Sequence, residues 1–154
     1  MPDENNREPD HKQIAIATFN TTWDYLDKDL RTAEENDMMV HAAHTSRYMW
    51  GQVGGPTELE RGDWQISRVY ASLSKGDEAL HYAKHCLNIC KDNEIGDFDL
   101  AFAYEALARA YAIKENWVEV DRYTELAKTA AEGIAEKDNR DYFLGELDSI
   151  PRMP

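Results

Sequence analysis

Two stripes of side chains combine guanidinium groups with aromatic rings. Arg61, Trp64, Gln65 and Arg68 recur at three- and four-residue steps, and so do Phe102, Glu105 and Arg109. On a helix that spacing puts each set on one face. A guanidinium grips a carboxylate through two parallel hydrogen bonds, and a ring beside it offers apolar area to a partner's side chain. Arg61, Trp64, Arg68, Phe102, Glu105 and Arg109 are therefore candidates for binding an acidic peptide segment, a chain-terminal carboxylate or another small anionic ligand. The same residues admit a purely structural reading. Glu105 and Arg109 pair across one helical turn, and Trp64 closes a core.

Histidines form the second set. His41 and His44 lie three apart, His81 and His85 four apart, and both spacings bring imidazoles to one helical face, as metal ligation requires. His41 and His44 are the better metal candidates, with a hydrogen-bonded place between helices as the alternative. A metal-binding protein or a metal-dependent enzyme built on them is the competing functional reading. His81 and His85 read as solvated surface. Cys86 and Cys90 read first as small buried apolar residues. A redox or metal role comes second, because neither a CxxC motif nor a second cysteine pair accompanies them.

Other chemistry is missing from the pattern. There is no HExxH, no phosphate-binding P-loop, no deaminase signature and no serine in a nucleophile elbow. No catalytic residue and no cofactor is expected. The 154 residues carry 17 basic and 30 acidic side chains, a formal charge of −13. Binding to nucleic acid needs clustered Lys and Arg, so this balance argues against it. No apolar run reaches the length of a membrane span, and the acidic start does not look like a secretory signal. Two lone cysteines then suit a reducing cytoplasm. The charge is uneven: residues 41–91 carry six basic and five acidic groups, so the middle of the chain is nearly neutral and could hold an anion.

Hydrophobic residues make up 42% of the chain, enough for a packed core. Residues 1–11 lack periodicity and read as a flexible acidic tail. From residue 12 onward apolar residues recur with helical period. Ala15, Phe19, Trp23, Leu26 and Leu30 mark one helix. Thr32 and Glu35 form a capping box before the second, and Gly54-Gly55-Pro56 separates it from the third. Ser74 to Asp77 is expected to cap a fourth, Gly96-Asp97 to open a fifth, and Asn116 with Glu119 to cap a sixth. A short seventh covers residues 138–148. The expected fold is all-α: one domain over 12–150, with hairpins at 12–53, 56–91 and 97–134 and a terminal helix.

Residues 66–87 align without a gap on residues 107–128, an offset of 41. Ile66 meets Leu107, Arg68 meets Arg109, Tyr70 meets Tyr111, and Tyr82 meets Tyr123. Tyr104, Leu107, Ala108 and Tyr111 fall on the W, L, G and Y positions of the tetratricopeptide (TPR) signature, and the chain resembles that family of helix-turn-helix repeats. It departs at Asp63, which occupies the tryptophan position, and at both closing prolines. The segments HAAHTSRYMWGQ and DFDLAFAYEALARAYA are also similar to small bacterial TPR-like proteins, a likeness that carries no activity. The resemblance implies an array of antiparallel hairpins whose first helices line a groove, and it places the Arg61 and Phe102 stripes there. It implies a non-catalytic binding module with a protein or peptide partner. A structural self-association domain, with exposed end faces covered in a homodimer, is the third reading.

Overall fold

The computed structural model describes residues 10–152, and among them seven α-helices and no strand. Most of the proposed acidic tail lies outside the described residues. The helices are α1 (His11–Leu26), α2 (Ala33–Val53), α3 (Pro56–Ser72), α4 (Gly76–Asp92), α5 (Asp97–Ile113), α6 (Trp117–Ala131) and α7 (Lys137–Asp148). None is long and apolar enough to cross a membrane.

Local chemistry sets most boundaries. Asp10 caps α1 by accepting hydrogen bonds from the Lys12 and Gln13 amides. Thr32 and Glu35 form the reciprocal capping box expected at α2. Pro56 is the first residue of α3, where its missing N–H costs nothing. Two expectations need correction. Leu30 lies beyond the end of α1 and is 89% exposed, because the chain turns at Asp27 to reach α2. The start of α4 has no side-chain cap, because Ser74 is spent on the turn itself, at φ 59°.

Adjacent helices pack as antiparallel hairpins, α1 with α2, α3 with α4, and α5 with α6. The odd-numbered helices also touch one another in series, α1 to α3, α3 to α5 and α5 to α7. Among the described residues the backbones of α2, α4 and α6 stay apart, although the His44 side chain of α2 reaches Tyr82 of α4. The odd helices thus form an inner layer and the even ones an outer layer.

The 41-residue offset is a structural repeat. Added to the first residues of α3 and α4, it gives the first residues of α5 and α6. The left-handed turn residue Ser74 becomes Glu115, at φ 56°. The stacked pair Tyr70–Tyr82, centroids 6.0 Å apart, becomes Tyr111–Tyr123 at 5.6 Å.

Because α3 is packed by α1, α2, α4 and α5, its buried set includes Glu60, Asp63, Gln65 and Ser67 beside Ile66 and Val69. Buried polar groups must find partners. Gln65 donates to the Phe19 carbonyl, Ser67 to the Ala79 carbonyl, and Arg47 reaches Asp63 at 2.9 Å. Arg47 crosses Gly62 to do so: a Cβ there would stand 2.7 Å from Arg47 Cδ. Gln65 is therefore a helix clamp and not part of an open stripe.

Candidate functional site

The inner layer encloses a groove of about 210 Å³ to which each odd helix contributes. Phe19 and Trp23 come from α1, Glu60, Arg61 and Trp64 from α3, Phe98, Asp99 and Phe102 from α5, and Tyr142 and Glu146 from α7. The rings contact each other in a connected wall. Trp64 lies 5.5 Å from Trp23 and 5.4 Å from Phe102 between centroids, and Phe102 lies 4.6 Å from Phe98. Tyr142 adds a ring 6.3 Å from Phe102. Edge-to-face contacts of Phe102 with Trp64 and Phe98, and tilted contacts of Trp23 and Tyr142, hold each ring by its neighbours.

The six expected ligand-binding residues separate into two groups. Arg61, Trp64 and Phe102 line the groove. Arg68, Glu105 and Arg109 do not; they form an ion network beside it that ties α7 to α3 and α5. Glu105 is fully buried, with Arg109 Nε at 2.7 Å and Arg68 Nη1 at 3.5 Å. Arg68 Nη2 holds Glu146 at 2.9 Å, and Arg109 Nη2 also donates to the Glu146 carbonyl and Ser149 Oγ. The structural alternative for Glu105 and Arg109 describes this geometry.

Carboxylates outnumber cations around the rings. Arg61 makes a two-point pair with Asp99, at 3.1 and 3.0 Å, and its Nε lies 3.9 Å from Glu60 Oε1. Of the three lining carboxyl groups, Asp99 pairs with Arg61 and Glu146 with Arg68 from just outside the lining, and Glu60 has no full ion pair. Burial, reinforced by the neighbouring Asp99, pushes the Glu60 carboxyl up to about 7, against the thiol hydrogen bonds that lower it. The groove is thus an aromatic enclosure bordered by ion-paired carboxylates, with the buried Glu60 carboxyl at its floor.

The histidines fall elsewhere. His44 Nε2 bonds Tyr70 Oη at 2.8 Å and packs edge-on to Tyr82, while His41 is exposed. Burial and then the adjacent His41 lower the His44 pKa, and Asp63 opposes them. Among the described residues His41 and His44 gather no third His, Cys, Asp or Glu ligand atom. His81 and His85 are exposed, with centroids 4.5 Å apart.

Sequence reasoning missed Phe19, Trp23, Glu60, Phe98, Asp99, Tyr142 and Glu146 as lining residues. A signal existed for Asp99, which stands three residues before Phe102 on the same helical face. Nothing local marks Tyr142 and Glu146, whose place depends on how α7 folds back. Comparisons with protein-family models, curated proteins and solved structures give no match.

Proposed function

We propose that the protein is a non-catalytic binding module, a tetratricopeptide-like hairpin array whose inner groove takes a cationic group carried on an apolar body, such as a basic or methylated side chain of a peptide segment. The 41-residue repeat and the inner layer of first helices support the architecture. The observation that carries the ligand class is the wall of Trp23, Trp64, Phe98, Phe102 and Tyr142, beside which Glu60 is the one lining carboxyl group without a full ion pair. Ring faces attract cations, by about 0.5–2 kcal/mol each depending on desolvation, and flanking carboxylates add Coulombic attraction. The arginines first expected to draw an anion each hold a carboxylate already, which shifts the favoured ligand from acidic to basic.

Benzyltrimethylammonium is a suitable probe, because it joins a ring to a permanent cation. Tryptophan fluorescence should change saturably on titration, and Trp64→Ala should abolish the response while leaving helix content intact. A response unchanged in Trp64→Ala would place the probe outside the groove.

A further inference from the structure

Beneath the groove, between α3 and α4, three potential metal ligands converge. Cys86 Sγ lies 3.3 Å and Cys90 Sγ 3.6 Å from Glu60 Oε2, and the three atoms fall within 4.8 Å of one another. All three residues are buried, and both cysteines are free thiols. We propose that Glu60, Cys86 and Cys90 form a binding site for a thiophilic divalent cation, zinc in the first place.

Geometry is the first argument. Zinc bonds thiolate sulfur at about 2.3 Å and carboxylate oxygen at about 2.0–2.2 Å, so a tetrahedral centre sets sulfur and oxygen about 3.5 Å apart. The two observed distances straddle that edge. Two sulfurs four residues apart on one helix and an oxygen from the facing helix supply three corners, leaving the fourth for water or a donor from the groove. Two thiolates select against magnesium and calcium, and the carboxylate against a cuprous ion, which prefers sulfur alone.

The internal repeat supplies the second argument. Residues 41 positions on from Glu60, Cys86 and Cys90 are Ala101, Ala127 and Ala131. All three alanines are buried, in one cluster of the next hairpin. A hairpin of this design therefore packs with three methyl groups at these places. The α3–α4 hairpin instead carries two thiols and a carboxyl group there, which apolar packing does not require and which burial penalises.

Access and charge form the third. Glu60 Oε1 is buried without a hydrogen-bond partner, and Glu60 belongs to the groove lining, so the carboxylate connects the site with an opening. Two thiolates, one carboxylate and a divalent ion sum to −1, and the Arg61 guanidinium, shared with Asp99, lies 3.9 Å from Glu60 Oε1. On binding, M²⁺ replaces the two thiol protons, together with the carboxyl proton wherever Glu60 holds one, and these protons pass to buffer.

The site does not depend on the groove's ligand, and its test is separate. Reduced, chelator-stripped full-length protein is titrated with Co²⁺, then with Zn²⁺. One equivalent of Co²⁺ should produce thiolate-to-cobalt charge-transfer absorption and intense tetrahedral d–d bands, both bleached by Zn²⁺, with at least two protons released per ion. Cys86→Ala/Cys90→Ala should lose the spectrum yet keep its helicity, as the alanine hairpin shows is possible, and should still respond to benzyltrimethylammonium. Glu60→Gln should weaken Zn²⁺ about tenfold or more. Folded, reduced wild-type protein giving no charge-transfer band with millimolar Co²⁺ would overturn the proposal and leave a hydrogen-bonded trio in which the thiols donate to the carboxylate. So would Zn²⁺ binding that survives in the double alanine variant.

Discussion

Arg61 closes on Asp99 through two hydrogen bonds, Nε to Oδ1 at 3.1 Å and Nη2 to Oδ2 at 3.0 Å, bridging α3 and α5 at the groove. The arginine that would have attracted an anion is thereby occupied. Its side chain is 57% exposed, so the pair contributes at most about 1 kcal/mol to stability. Arg61→Ala should leave the melting temperature nearly unchanged and free Asp99 to face a cation. Its affinity for benzyltrimethylammonium should rise, by about fivefold if the full 1 kcal/mol is transferred. Weaker binding in a fluorescence titration would mean that Arg61 itself serves the ligand.

Glu105 sits under the terminal helix between Arg68 and Arg109. Removing one partner of a buried ion pair strands the others, at about 3–5 kcal/mol. Glu105→Ala should lower stability by that order in urea denaturation. Amides of α7 should lose protection from hydrogen exchange first, because Arg109 also holds the Glu146 carbonyl and Ser149. A uniform loss of protection across α1 to α7 would speak against the network as the fastening of α7.

Gly62 leaves room for Arg47 on its way to Asp63, which is 2% exposed. Alanine at 62 would press Cβ against Arg47 and loosen the ion pair between α2 and α3. Gly62→Ala should cost about 1–3 kcal/mol. In Asp63→Asn, where the charge pair is already broken, the added cost should be smaller. Equal costs in the two backgrounds, measured as a double-mutant cycle, would show that Arg47 moves aside without releasing Asp63.

His44 has its pKa lowered by burial and by His41, from an ordinary value of 6.5. The unfolded chain then takes up the proton more readily than the folded one, so this histidine's contribution is complete above about pH 6.5 and is lost as pH falls below it. His41, Asp63, Tyr70 and Tyr82 surround it. Wild type should lose more stability between pH 7.5 and 5.5 than His44→Phe does. A variant with the wild-type slope would show that His44 does not contribute to the pH dependence.

The helices were largely legible because their boundaries depend on local chemistry, such as the Thr32–Glu35 box, Pro56 and Asn116. The repeat was legible too, since an offset of 41 leaves tyrosines at 70 and 111 and at 82 and 123. Within the groove, the helical spacing around Trp64 and Phe102 found the aromatic face, and the pairing of Glu105 with Arg109 across one turn was legible as well. The partners of Gln65 and Arg68, the Phe19 carbonyl and Glu146, were not. Local spacing does not say whether a charged residue faces solvent or a counter-ion brought in by a distant helix. The nearly neutral charge of residues 41–91 misled for the same reason. Asp99 and Glu146 come from the acidic flank and fold onto that middle stretch. Cys86 and Cys90 were read as apolar because Glu60, which meets them, lies 26 and 30 residues away in sequence.

The sign of the charge that the groove accepts is the central claim. Titrating the protein with benzyltrimethylammonium and, separately, with phenylacetate while following tryptophan fluorescence compares a cation and an anion of similar apolar bulk. Binding of the cation at least tenfold tighter, with most of that preference lost in Asp99→Asn, is the predicted result. Tighter binding of phenylacetate, with Arg61→Ala abolishing it, would contradict the account and return the groove to an anionic ligand.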